Sequence, residues 1–173
     1  MKKAVFLDRD GILNRVIIRD NIVSSPRHLH EFEIIEAAKQ LVNTIKSRDF
    51  FVAVVTNQPD VDREKLDPAN LAKMHDILRK TFPIDTIEAC TSGDDSDFRR
   101  KPNPGMILNV AKMHDIALKD SCLIGDGYKD IAAGKSAGVK TILLCTSYNS
   151  AIHGSADYNC NSMFEVIKLI ETI

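Results

Sequence analysis

Residues 4–11 read Ala-Val-Phe-Leu-Asp-Arg-Asp-Gly, an apolar run of four residues that opens directly into two acids and a glycine. A short apolar run bounded by turn residues is typical of a buried strand. We therefore predict a first strand, with Asp8 and Asp10 just beyond its end. Two acids beside an apolar strand end need a cation or hydrogen bonds, and Asp oxygens suit Mg²⁺. A turn with solvated acids explains this stretch equally well.

Along the rest of the chain, short apolar runs alternate with longer segments of helical period. This alternation is typical of βα units around a parallel sheet that is covered on both faces. We predict an α/β fold, a Rossmann-like three-layer sandwich, in one domain over residues 1–173. The predicted strands are Ala4–Leu7, Phe50–Thr56, Thr86–Thr91, Cys122–Gly125 and Thr141–Cys145, the predicted helices are Glu33–Ser47, Pro68–Thr81, Pro104–His114, Lys129–Ala137 and Ser162–Ile170, and the predicted loops are Arg19–His30, Pro59–Asp67, Thr91–Pro104 and Ser147–Asp157.

Composition limits the classes of partner. The formal net charge of -1 gives no broad basic surface, so we expect no nucleic-acid partner and a local site for any charged ligand. The apolar stretch after Met1 is too short for a signal peptide or a membrane span, and we expect no membrane partner. The four cysteines form no CxxC pair, which favours reduced thiols and a cytoplasmic location. Composition does not fix the oligomeric state, and we expect a monomer or a small homo-oligomer.

Polar residues also follow other predicted strands, at the edge where ligands bind in open α/β sheets. Thr56, Asn57 and Gln58 end the second strand, although such residues also form ordinary turns. Lys101 lies in a basic run before a proline-fixed turn, where its charge would neutralise a phosphate. Asp126 and Asp130 follow the fourth strand, where a helix cap explains one of the two. Together these side chains form the inventory for metal-assisted phosphoryl transfer.

In order and spacing, the residues at 8, 10, 56, 101, 126 and 130 resemble the four sequence motifs of the haloacid dehalogenase (HAD) superfamily. Residues 6–14, 56–58 and 100–105 are similar to the subgroup that contains heptose-bisphosphate and histidinol-phosphate phosphatases. The resemblance covers nearly the whole chain. It implies a compact fold without a large cap domain and a phosphatase that acts on a small phosphorylated metabolite.

The resemblance also implies roles for individual residues. Asp8 would attack phosphorus to form an aspartyl-phosphate, and Asp10 would protonate the leaving oxygen and then activate water. Mg²⁺ would be held by the Asp8 carboxylate, the Asp10 backbone carbonyl and Asp126, with Asp130 as support behind them. The residues expected to cradle the phosphoryl oxygens or bind the rest of the substrate are Thr56, Asn57, Gln58, Arg63, Arg100 and Lys101.

Three features depart from the subgroup. Its members usually carry a zinc loop of cysteines and a histidine before Arg-Lys-Pro, whereas only Cys90 is present here, so we expect no zinc and a more mobile loop over 92–99. Ile12 replaces a threonine of the superfamily pattern and removes a hydroxyl near the nucleophile. The stretch after Gln58, from Pro59 to Arg63, also differs from that of the heptose enzymes, which leaves the substrate open.

Three functions other than phosphatase activity use similar residues or a similar fold. A phospho-acceptor signalling domain uses a similar set of residues, but there the acceptor usually lies on a strand in the middle of the chain. A dinucleotide-binding module is disfavoured because no GxGxxG follows the first strand. A phosphate-binding homologue without activity is a further possibility. Among substrates, a heptose bisphosphate, histidinol phosphate and another small phosphate ester all fit the sequence.

Overall fold

The computed structural model describes all residues from Met1 to Ile173. Its strands are β1 (Ala4–Leu7), β2 (Ile17–Arg19), β3 (Ile22–Ser24), β4 (Phe51–Asn57), β5 (Thr86–Cys90), β6 (Cys122–Gly125), β7 (Lys140–Leu144) and β8 (Tyr158–Cys160). Its α-helices are α1 (Glu36–Ser47), α2 (Pro68–Thr81), α3 (Gly105–His114), α4 (Tyr128–Ala137) and α5 (Met163–Thr172). Three 3₁₀ helices cover Leu29–Glu31, Leu118–Asp120 and Ser147–Ile152.

Six strands form one parallel sheet in the order β5-β4-β1-β6-β7-β8. The first strand lies inside this sheet, where Leu7 is in register with Val54 of β4 and with Ile124 of β6. Because the strands run the same way, the residues that follow β1, β4 and β6 emerge side by side at one edge. The distant polar segments of the sequence therefore converge there.

Side chains of each central strand alternate between two apolar layers, as the period of two in a strand requires. In β1, Val5 and Leu7 pack on one face, while Ala4 and Phe6 pack on the other. Helices α1 and α5 supply Leu41, Ile45, Val166 and Ile170 to the first face, and helix α3 supplies Met106, Ile107 and Val110 to the second. Both faces of the sheet are thus covered, which explains why the strands read as continuous apolar runs.

Residues at the helix starts satisfy the free backbone N–H groups. Asp67 accepts a hydrogen bond from Ala69 N at 2.7 Å, and Pro68 takes the first position of α2, where no N–H is needed. At α4, the Asp130 carboxylate accepts a bond from Gly127 N at 2.9 Å. This contact ties Asp130 to the loop after β6 and so to the edge of the sheet where polar residues gather.

The predicted α/β sandwich without a large cap domain is confirmed. The five predicted strands and five predicted helices are present with small shifts at their ends. The predicted loops over Arg19–His30 and Ser147–Asp157 are wrong in part. The end of β2, all of β3 and the start of a 3₁₀ helix lie in the first, and the 3₁₀ helix Ser147–Ile152 lies in the second. Strand β8 was not predicted at all. Each of these extra strands has three residues. Strands β2 and β3 flank the two-residue turn Asp20-Asn21, a hairpin signal that the predicted elements do not include. Strand β8 reads Tyr-Asn-Cys and has no apolar run.

No helix in the structure combines the length and the apolar character needed to cross a membrane.

Candidate active site

A cavity of about 360 Å³ opens at the carboxyl edge of the sheet, beside the β2–β3 hairpin. Charged side chains dominate its wall. The acids that line it are Asp8, Asp10, Asp60, Asp126 and Asp130, and the cations are Arg63, Arg100, Lys101 and Lys129. Val16 and Val23 of the hairpin segment are two of the few apolar residues. A cavity with so many charges of both signs suits a compact, highly charged ligand.

Three carboxylates meet at the floor of this cavity. One oxygen each from Asp8, Asp126 and Asp130 lies within 4.8 Å of the others. Both oxygens of Asp130 are already hydrogen-bonded, one by Lys101 and one by Gly127 N. In contrast, Asp8 and Asp126 each keep one oxygen that accepts no hydrogen bond. The free oxygens therefore belong to two different strand ends, with Asp130 behind them.

Lys101 is the cation closest to these acids, and its side chain is only 4% exposed. Its ammonium group donates to Asp8 Oδ1 at 2.8 Å, to Asp130 Oδ1 at 2.6 Å and to the Val55 carbonyl at 2.8 Å. Burial opposes its charge, but Asp130 and Asp8 outweigh burial and raise the pKa of Lys101. The Asn57 side chain fixes the Lys101 backbone through bonds to its N–H and carbonyl at 3.0 and 2.8 Å. Lys101 is thus held charged beside Asp8.

The crowded acids lack enough compensating charge. Burial and the negative charge of Asp130 raise the pKa of Asp8 well above its ordinary value, although Lys101 partly opposes this. Burial and Asp130 likewise raise the pKa of Asp126 to about 7. A divalent cation between these oxygens would offset the repulsion, and oxygen donors are those that Mg²⁺ prefers. The donor set therefore fits a hard divalent cation.

Asp10 has a different environment, although it follows Asp8 by only two residues. Its carboxylate accepts bonds from Arg9 at 2.9 Å, Asn14 at 2.8 Å, Ser25 at 2.9 Å and Gln58 at 2.8 Å. Burial opposes ionisation, but Arg9 and the side-chain donors outweigh it and lower the pKa of Asp10. Asp10 is therefore held as an anion with its side chain turned toward these donors.

Two glycines allow the acids to approach closely. Gly11 adopts a φ of +85°, and a Cβ atom on it would lie 1.9 Å from Asp126 Oδ2. A Cβ on Gly125 would lie 2.4 Å from the Asp130 Cβ. Any larger residue at either position would displace one of the acids.

Comparisons with known proteins agree with this geometry. D-glycero-alpha-D-manno-heptose-1,7-bisphosphate 7-phosphatase from Burkholderia mallei is 33% identical over 82% of this chain and 79% of its own length. D-glycero-beta-D-manno-heptose-1,7-bisphosphate 7-phosphatase from Helicobacter pylori is 32% identical over 98% of both chains. A HAD-hydrolase-like family model matches residues 98–161. The chain belongs to the HAD superfamily and is a phosphatase.

A solved structure supports the same assignment for the phosphatase fold. D,D-heptose 1,7-bisphosphate phosphatase from B. bronchiseptica, complexed with magnesium and phosphate, matches with a TM-score of 0.84. It is 28% identical, and the match covers 98% of each chain. The predicted HAD resemblance is confirmed, and the phospho-acceptor and dinucleotide-binding alternatives are set aside.

The structure of the phosphatase brings most of the predicted residues to the cavity wall, but not all. Asp8, Asp10, Asn57, Arg63, Arg100, Lys101, Asp126 and Asp130 line the cavity. Thr56 and Gln58 are fully buried and do not line it. The Gln58 amide instead donates to Thr56 Oγ1 at 2.9 Å and to Asp10, so this pair supports Asp10 from behind. Ile12 is also fully buried and packs in the core under β1, away from the cavity.

Several residues of the site went unnoticed in the sequence. Arg9 is fully buried and pairs with Asp10, and Ser25 reaches the same carboxylate from the segment after β3. Tyr148, in the 3₁₀ helix after β7, donates to Asp126 Oδ2. Lys129 lines the cavity beside Asp130. Arg9 and Lys129 are next to predicted site acids in the sequence, so they could have been predicted. Ser25 and Tyr148 are brought to the site by the course of the chain after β3 and β7, which no local sequence pattern predicts.

Cys90, the one cysteine present where the subgroup usually carries its zinc loop, is fully buried in the apolar layer that contains α3. Burial raises the pKa of its thiol, which disfavours the thiolate that binds zinc. Asp8, Asp126 and Asp130 form the one cluster of three or more His, Cys, Asp or Glu residues arranged to hold a metal ion. The mobility expected of residues 92–99 stays a prediction.

Proposed function

We propose that this phosphatase is Mg²⁺-dependent and removes the 7-phosphate of D-glycero-D-manno-heptose 1,7-bisphosphate through an aspartyl-phosphate on Asp8. One observation carries the proposal. Asp8 and Asp126, from two strand ends, present free oxygens to the same cavity floor where Lys101 is held charged. This combination lets an anionic nucleophile meet an anionic ester.

The carboxylates of Asp8 and Asp126, with the Asp10 backbone carbonyl, would hold Mg²⁺. When bound, the ion neutralises charge on the phosphoryl oxygens and on the nucleophile. Asp130 keeps Lys101 and the start of α4 in place, since both of its oxygens are taken by them. Lys101 supplies a second positive charge at the reacting group because its ammonium contacts Asp8 directly.

The chemical steps are assigned to the two acids of the first strand end. The free oxygen of Asp8 attacks phosphorus, the P–O bond to the sugar breaks, and protonated Asp10 gives its proton to the leaving oxygen. In the second step, Asp10 as a carboxylate takes a proton from water, which attacks the aspartyl-phosphate and releases phosphate from Asp8. The donors around Asp10 favour the carboxylate form needed for this second step. The first step requires Asp10 to take up a proton and to turn from Arg9 and its other donors toward the leaving oxygen.

The preference for a bisphosphate rests on the cations at the rim of the cavity. Arg63, Arg100 and Lys129 line the same cavity as Asp8. The Arg100 side chain is only 5% exposed and is held by Asp95 and by the Ser92 carbonyl at 2.8 and 3.0 Å. Such a group of cations, beyond the reacting phosphate, suits a second phosphate on the same sugar.

We place this reaction in the cytoplasm. All four cysteines are free in the structure, and three of them are buried. A reducing compartment fits this pattern.

The test is phosphate release from a panel at fixed Mg²⁺, with p-nitrophenyl phosphate, the heptose bisphosphate and histidinol phosphate as substrates. We expect activity that EDTA abolishes and a kcat/KM that is highest for the heptose bisphosphate. Arg100→Gln should raise the KM for the bisphosphate much more than the KM for p-nitrophenyl phosphate. A higher kcat/KM for histidinol phosphate would overturn the substrate assignment, and activity that persists in EDTA would overturn the metal dependence.

A further inference from the structure

The 3₁₀ helix Ser147–Ile152 holds the end of β6 through two neighbouring residues. Tyr148 Oη donates a hydrogen bond to Asp126 Oδ2. The Asn149 side chain donates to the Asp126 backbone carbonyl and to the Leu144 carbonyl, both at 2.8 Å. The carboxyl and the backbone of Asp126 are therefore both fixed by the segment that follows β7. Neither Tyr148 nor Asn149 takes part in the proposed chemical steps.

The bond from Tyr148 leaves Asp126 with one defined free oxygen. Asp126 Oδ2 is occupied by the phenol, whereas the other carboxylate oxygen accepts no hydrogen bond. Gly11 lies against the same oxygen, since a Cβ on Gly11 would lie 1.9 Å from Asp126 Oδ2 and 3.1 Å from Tyr148 Oη. Because Oδ2 is held by the phenol and packed against Gly11, the other oxygen is the one left to face a cation beside Asp8.

We propose that Tyr148 is a positioning residue for the metal site. Its hydroxyl orients the Asp126 carboxylate and thereby sets the affinity for Mg²⁺. This inference rests on the proposed function, because it assumes that Asp126 is a ligand of the ion. Groups that hydrogen-bond to a metal-ligating side chain typically change metal affinity by about 10- to 100-fold when they are removed.

The test measures Mg²⁺ binding to the substrate-free protein by isothermal titration calorimetry, with Tyr148→Phe compared with Tyr158→Phe. Both tyrosines are 39% exposed, but Tyr158 lies on β8 and makes no side-chain hydrogen bond. Each variant removes a single oxygen atom, and a matching melting temperature verifies the fold. We expect Tyr148→Phe to raise the Kd for Mg²⁺ about tenfold, while Tyr158→Phe leaves it within twofold.

Kinetics supply a second measurement. In Tyr148→Phe, the Mg²⁺ concentration for half-maximal activity should rise by the same factor, and kcat at saturating Mg²⁺ should stay close to that of the wild type. An unchanged Kd in Tyr148→Phe, with normal Mg²⁺ binding by the wild type, would overturn the role of Tyr148 alone. A wild-type protein that binds no Mg²⁺ would overturn the proposed metal dependence and this inference together.

Discussion

Asp8 and Asp10 are two residues apart and have side chains that are 14% and 13% exposed, and yet their pKa values are shifted in opposite directions. Asp8 faces Asp126 and Asp130, so burial and repulsion raise its pKa. Asp10 faces Arg9 and three neutral donors, so its pKa is lowered. The comparison shows that neighbours from other strands and loops, rather than residue type or depth, decide which acid needs a cation and which already has one.

Among the variants that test this difference between Asp8 and Asp10, Asp8→Asn should have the largest effect. The amide cannot attack phosphorus, so kcat should fall by roughly 10³-fold or more. Because one charge of a crowded group is removed, the melting temperature should stay equal to that of the wild type or rise. Phosphate release and thermal unfolding measure the two effects. Wild-type activity in Asp8→Asn would show that another residue is the nucleophile.

Removal of the cation beside Asp10 should make its environment more like that of Asp8. Arg9 is fully buried, so Arg9→Met leaves Asp10 without its counter-ion and should lower the free energy of unfolding by about 3 kcal/mol. Arg15→Met is the control, since the Arg15–Glu33 pair is 62% and 66% exposed and should contribute less than about 1 kcal/mol. Urea denaturation measures both variants, and equal losses would refute the buried pair as the distinguishing feature.

The same guanidinium affects His75 on α2. Burial and the nearby charge of Arg9 lower the pKa of His75 to about 4. Between pH 6.5 and 4, the unfolded chain therefore binds a proton that the folded protein does not. The free energy of unfolding should fall as pH drops through this range, by at most about 1.4 kcal/mol per pH unit. His75→Gln should flatten this slope in urea denaturation, and an unchanged slope would contradict the assignment.

A smaller effect is expected at the rim of the cavity. Asp95 is exposed, accepts a hydrogen bond from Arg100 and lies 3.8 Å from Lys129. Its negative charge therefore offsets part of the positive charge of these two residues. Asp95→Asn should lower the KM for a bisphosphate by about two- to threefold at low salt and less at high salt. Asp94→Asn is the matched control, because the Asp94 side chain accepts only the Ser96 N–H. A KM that rises in Asp95→Asn would show that Asp95 mainly holds Arg100 in place.

The two acids also show what a sequence reveals about a site. The acids after β1 and β6 were predictable, because continuous apolar strands place the residues that follow them at a known edge. The support of Asp10 by Gln58 was not, since Gln58 was expected to touch the substrate and is instead buried behind Asp10. The contacts of Ser25 and Tyr148 were not predictable either, because they depend on how the hairpin segment and the 3₁₀ helix turn back over the sheet.

The most direct test of the account is Mg²⁺ titration of the substrate-free wild type and of Asp126→Asn and Asp10→Asn. Asp126 presents a free oxygen to Asp8, whereas the Asp10 side chain is fully engaged with its donors. We predict that Asp126→Asn weakens Mg²⁺ binding by roughly 100-fold or more, while Asp10→Asn changes the Kd by less than about threefold. Unchanged binding in Asp126→Asn, or an equal loss in both variants, would contradict the convergence of Asp8 and Asp126 on one cation.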